Sequence, residues 1–198
     1  MDGKRLGERL RRHVDAQNEE INCFAVRRLV AFPDRTRDAT PDFDIRLVGA
    51  FNGDRQNLLP LRGDQSLLLD VRQTVTSHPG AELNTLLAVA GYNYRLVLMV
   101  DGGPAEVIAF HWPPEAPPPQ RRHPHMHVGS LVTAGSRLRP RDFNRLHIPT
   151  GPLSLEAVLL FAIEELGVEP ARGRDRAAVT DQLRAGDNPA RQSFTPLD

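Results

Sequence analysis

Residues 92–112, YNYRLVLMVDGGPAEVIAFHW, do most to limit what this chain can fold into. Two runs rich in Tyr, Val, Leu, Ile and Phe flank Asp101, Gly102 and Gly103. Apolar runs on either side of an Asp-Gly turn predict a β-hairpin. An antiparallel sheet is therefore expected at the centre of the fold. Other segments extend it. CFAVRRLVAF and DFDIRLVGAF read as two strands separated by the turn-rich PDRTRDATP. In the second, Phe43, Ile45 and Leu47 alternate with Asp44 and Arg46, the pattern of a half-buried strand. SLLLDVRQTVTS is a third strand, closed at His78-Pro79-Gly80, and ELNTLLAVA reads as a short helix.

Helices frame the strands. Residues 3–20 form a polar helix with a thin apolar stripe of Leu6, Leu10 and Val14. Residues 154–166, SLEAVLLFAIEEL, are the clearest helix, with Ser154 as N-cap, Glu156 in the first turn and Gly167 as the stop. DRAAVTDQLRAG adds a short last helix. The expected fold is a single α+β domain over 1–185, its antiparallel sheet flanked by an N-terminal and a C-terminal helix, with a flexible tail over 186–198. A chain of 198 residues suffices for one core and is short for two.

Composition narrows the function. Formal net charge is zero, so any contact with nucleic acid must come from local basic patches. A single cysteine, Cys23, excludes an internal disulfide and a cysteine-based zinc site. The apolar runs are too short for a membrane span, and the charged N-terminus does not read as a signal peptide. A cytoplasmic protein with no membrane partner is expected. Lys4 is the only lysine among 25 Lys and Arg residues.

The chemistry concentrates in RRHPHMHVGS, residues 121–130, which follows the stiff loop PPEAPPPQ. On a strand, His123, His125 and His127 would share one face, with Pro124 and Met126 on the other. Pro124 lacks an N–H, so this strand end is expected at a sheet edge or just entering the sheet. His111 ends the preceding strand and His147 opens LHIPTG, and both are candidates to join. A row of titratable rings is a poor core filler, because buried imidazoles need partners. Three readings follow. His123, His125 and His127 could be metal ligands, with zinc or iron as cofactor, in a hydrolase or dioxygenase-like protein. They could instead serve acid–base cleavage of RNA by its own 2′-OH. His125 and His127 would be acid and base, His147 would assist, and Arg122 would stabilise the phosphate. Arg121, Arg145 and His111 would then bind substrate. In the third reading the same patch is a non-catalytic interaction module for an acidic or phosphate-bearing partner.

The order of parts resembles the TumE-type toxins of bacterial toxin–antitoxin pairs. A hairpin ends in an aromatic, a proline loop follows, and Pro124, His125 and His127 precede a helix with Ser154, Leu155, Glu156 and Val158. The resemblance covers about residues 90–167 and departs from that family where PPEAPPPQRRH precedes the core. It implies a small cytoplasmic toxin acting on RNA, a possible ribonuclease, neutralised by an antitoxin protein.

Overall fold

The structure is a computed structural model that describes residues 3–24, 28–34, 42–48, 58–63, 67–79, 85–100, 103–113, 123–129 and 147–187. It is the expected α+β domain. Helix α1 (Gly3–Asn22) leads into strands β1 (Arg28–Asp34), β2 (Asp42–Val48), β3 (Leu58–Pro60), β4 (Leu67–Pro79), β5 (Thr85–Val100), β6 (Gly103–Trp112), β7 (His125–Val128) and β8 (His147–Pro149). Helices α2 (Leu155–Leu166) and α3 (Arg176–Gly186) follow. The strands form one eight-stranded sheet in the order β1-β2-β4-β5-β6-β7-β8, with β3 paired to β4. Every pairing is antiparallel.

The hairpin is the spine of this sheet. β5 pairs with β6 from Val100↔Gly103 to Tyr92↔Trp112, with a bulge between Leu96 and Val97. Four expectations need correction. Of the helix expected over 82–90, residues 85–90 are strand, because β5 begins at Thr85 and pairs with β4 out to Pro79, past the expected stop at His78; residues 82–84 lie outside the described residues. The cross-strand ladder overrides a local helical preference. Cys23 and Phe24 belong to the turn after α1, and the strand expected there starts at Arg28. The short β3 carries no pattern long enough to be read from sequence. Finally, β7 is not the sheet edge, since β8 pairs along it with His127 opposite His147; Pro124 stands directly before β7, where the chain enters the sheet.

Alternation divides the sheet into two faces. Leu69 and Val71 on β4, Tyr92, Tyr94 and Leu96 on β5, and Phe110 and Trp112 on β6 point one way and are buried. Against them α2 lays Leu155, Val158, Leu159, Ala162 and Ile163. Phe110 meets Phe161 of α2 edge-on, with centroids 5.7 Å apart. A fully buried aliphatic side chain of this size contributes about 1.5–3 kcal/mol. α1 adds Leu6, Val14 and Ile21, with Leu10 partly buried, extending the expected stripe by about two turns.

The helix ends are built as the sequence indicates. Ser154 Oγ accepts from the Ala157 N–H at 2.8 Å and donates to Asp187 Oδ1 at 2.8 Å. Gly167 turns the chain out of α2 at φ 66°, where a side chain would be strained. Asp175 caps α3 by accepting from Ala178 N–H at 3.0 Å.

Candidate functional site

The face turned away from the helices carries the polar residues. Register places them in rows across the strands. Arg72, Asn93, His111 and His125 are successive partners from β4 to β7, and Asp70, Arg95, Ala109, His127 and His147 are partners in the next row, which reaches β8. Directly paired antiparallel residues share a face. Three imidazoles therefore meet on this side.

Their rings form a tight group. His111 and His125 lie 5.8 Å apart between centroids with planes 18° apart. His127 stands 4.8 Å from His111 and 4.9 Å from His125. His125 is 5% exposed, whereas His111 and His127 are half-buried. His125 Nδ1 is 2.7 Å from the His123 carbonyl oxygen. A carbonyl only accepts, so Nδ1 carries the proton, and in the neutral ring the lone pair is on Nε2. The local chain thus fixes both the tautomer and the tilt of His125.

Small residues let the rings converge. Ala109, fully buried, supplies only a methyl group beside His127 and between the long side chains of its row. Gly129 follows β7 directly, and its N–H donates to the Val107 carbonyl at 2.7 Å. A Cβ on Gly129 would fall 1.8 Å from the Glu106 carbonyl oxygen, so the end of the histidine strand seats against β6 only as glycine.

The expected site residues fare differently. His125 and His127 share a face, as alternation requires. His123 lies before the strand with an exposed side chain and contributes its carbonyl, while His111 takes the place beside the other two rings. His147 is in register with His127, and only its backbone is described. Arg121, Arg122 and Arg145 lie outside the described residues. Among the described residues, no three His, Cys, Asp or Glu side chains are placed to hold a metal ion.

Sequence reading missed Asp70, Asn93, Arg95 and Glu106. Asp70 is buried, and its Oδ2 accepts from Arg95 Nε at 3.0 Å and from Arg95 Nη2 in a shorter contact. Asn93 Oδ1 is buried without a hydrogen-bond partner among the described residues. Burial pushes the Glu106 carboxyl up, and the Arg95 charge pulls it back down. The alternation YNYR was the available signal, since Asn93 and Arg95 must face away from Tyr92 and Tyr94. No protein-family model, curated protein or solved structure matches the chain. Among the described residues, no helix is long and apolar enough to cross a membrane.

Proposed function

We propose that the histidine face is a metal-free phosphodiester-cleaving site, and that the chain is a toxin-like ribonuclease of the cytoplasm restrained by an antitoxin protein. The observation that carries this reading is the ring cluster with its oriented member, His125. Its Nδ1–H is committed to the His123 carbonyl, so Nε2 is the nitrogen suited to take a proton from a ribose 2′-OH. The 2′-oxygen then attacks phosphorus. The bond to the 5′-oxygen breaks as protonated His127, 4.9 Å away, supplies the leaving oxygen with its proton. A 2′,3′-cyclic phosphate and a 5′-hydroxyl result. His111 lines the same face, His147 is in backbone register with His127, and both would assist binding, with Arg121, Arg122 and Arg145 as the cations of the flanking segments.

The test is cleavage of RNA by the purified chain across pH, beside induction in a bacterial host. The rate is expected to be bell-shaped in pH. His125→Ala or His127→Ala should each lower it roughly 10²–10⁴-fold with the fold intact. The His125→Ala/His127→Ala double variant should also relieve growth inhibition at equal soluble levels. Equal toxicity of wild type and double variant, or no inhibition by either, rejects the catalytic-toxin reading.

A further inference from the structure

The row that contains His127 also holds a cation that the sequence did not single out. Asp70, Arg95, Ala109 and His127 stand in consecutive register across β4, β5, β6 and β7. Asp70 grips Arg95 through Nε and Nη2, both on Oδ2, and Arg72 Nε lies 3.5 Å from the same oxygen. The guanidinium is thereby held along one edge. Its Nη1 forms no hydrogen bond among the described residues, and the side chain is 36% exposed. A fork held in this way keeps a second donor edge at a fixed angle. Between Arg95 and His127 the row contains only the Ala109 methyl group. Strands about 4.8 Å apart put the two backbones roughly 10 Å apart. Asp70 holds the guanidinium from the β4 side, so by register the Arg95 and His127 side chains flank the surface above Ala109 from opposite sides.

The surrounding charges fit the same ligand. Among the described side chains, Asp70 and Glu106 offset Arg72 and Arg95, so the balance offered to a ligand is decided by His111, His125 and His127. Protonation of any of these rings makes the face cationic. Asn93, one row over, adds a buried carbonyl oxygen suited to a donor such as a hydroxyl. A structural ion pair alone would need the Asp70–Arg95 contact. It would not need the alanine gap or the alignment with His127.

We infer that Arg95, oriented by Asp70, and His127 clamp a single phosphate group above Ala109. The inference rests on the phosphodiester reading and names the group that holds the scissile phosphate. The experiment is titration of inorganic phosphate into the full-length chain, followed by calorimetry and by the histidine ring resonances in NMR. Arg95→Lys keeps the charge opposite buried Asp70 and loses the planar second edge. The double variant Asp70→Asn/Arg95→Gln replaces the pair by amides and leaves no buried charge. Wild type should bind phosphate saturably and shift the His127 ring signals. Arg95→Lys should weaken binding roughly tenfold or more, and the double variant should abolish it. Arg176→Gln on α3 should change nothing. If the double variant does not fold, Arg95→Lys decides by itself. Absence of saturable binding in wild type, unmoved His127 signals, or wild-type affinity in a folded Arg95→Lys protein overturns the clamp. Loss of RNA cleavage in the histidine variants together with wild-type phosphate affinity in Arg95→Lys rejects the clamp alone. Arg95-dependent phosphate binding without RNA cleavage keeps the clamp and rejects the ribonuclease reading.

Discussion

The two faces of β5–β7 are built from alternate residues of the same strands and have opposite characters. On one, Tyr92 stacks on Tyr94 at 4.8 Å between centroids, Trp112 meets Tyr92 edge-on, and Phe110 meets Phe161. On the other, one residue along in each case, stand Asn93, Arg95, His111, His125 and His127. The apolar face gains free energy from burial and would tolerate volume-conserving exchange. The polar face gains little from burial and depends on where its rings point. The difference teaches that the geometry of the histidines is inherited: packing against α2 fixes the strands, and the strands fix the rings.

The sharpest way to break that comparison is to exchange losses between the faces. Phe110→Ala should cost about 3–5 kcal/mol of unfolding free energy, through lost burial and the cavity left behind. His127→Ala, in the next pair and on the opposite face, should change stability by well under that while removing most of the cleavage activity. Urea unfolding and a cleavage assay on the same preparations check both. A His127→Ala protein as destabilised as Phe110→Ala would show that the ring is a packing element and that the faces do not differ in the way described.

Leu159→Ala repeats the first half of the contrast from the helix side. Leu159 is fully buried between α2 and the sheet, and about 2–5 kcal/mol should be lost. Gly129→Ala tests the inheritance itself. The added methyl cannot be accommodated 1.8 Å from the Glu106 carbonyl oxygen, so the end of β7 must move from β6. We expect a stability loss of about 1–3 kcal/mol. Cleavage should fall further than that loss explains, because the His127 ring would be displaced. Retained activity and unshifted ring signals would show that β7 is seated by something other than this contact.

Much of this was legible in the sequence, and the parts that were not have physical reasons. The hairpin, the capped helix over 154–166 and the shared face of His125 and His127 follow from periodicity and turn chemistry. The partnership of His111 with His125 does not. Counted from the turn, the pairs Val100↔Gly103 through Val97↔Glu106 extrapolate to Asn93 opposite Phe110. The bulge at Leu96/Val97 moves the register by one, so that Asn93 faces His111. A bulge inserts one residue without a sequence signature strong enough to place it. The same shift hid Arg95 from view as a neighbour of His127. Residues 82–90 misled for another reason: Leu86, Leu87, Ala88 and Val89 suit a helix or a strand, and pairing with 75–78 decides. His123 misled because alternation was extended two residues before the point where the strand begins.

A smaller effect is expected where the apolar layer is stapled together at its helix ends. Ser154→Ala removes both the acceptor for the Ala157 N–H and the donor to Asp187. The cost should be about 1 kcal/mol, within the 0.5–2 kcal/mol usual for a lost cap, with activity unchanged. Thermal unfolding and the cleavage assay together decide. An activity loss here would mean that α2 transmits more to the histidine face than strand packing alone.

The smallest expected effect concerns pH, and it separates the charged groups on the helix side from the imidazoles on the other. Glu20 of α1, Glu156 of α2 and Asp187 after α3 gather where the three helices meet. A Cβ on Gly186 would lie 3.1 Å from Glu156 Cγ and 3.6 Å from Glu20 Oε1. Burial raises the Glu156 carboxyl, with Glu20 and Asp187 adding like charge, while hydrogen bonds from its own backbone N–H and from Ser154 lower it. Burial also raises Glu20, opposed by the Gln182 amide, which donates to it at 3.2 Å. Raised folded-state values mean that the folded chain holds these protons more tightly than the unfolded one. Their contribution to stability is complete below the ordinary value of 4.5 and is lost as pH climbs through the raised values. His13 has the opposite sign. Burial lowers it, so its contribution is intact above 6.5 and is lost as pH falls through 6.5 towards its lowered value. Glu156→Gln removes this group together with its repulsion of Glu20, and leaves the His13 contribution in both proteins. The variant's stability relative to wild type should rise as pH climbs from 4.5 through the raised value of Glu156 and then level off, read by denaturant unfolding at each pH. A difference that stays flat across that range, or that falls, would show that the carboxyl is not held above its ordinary range by the helix junction.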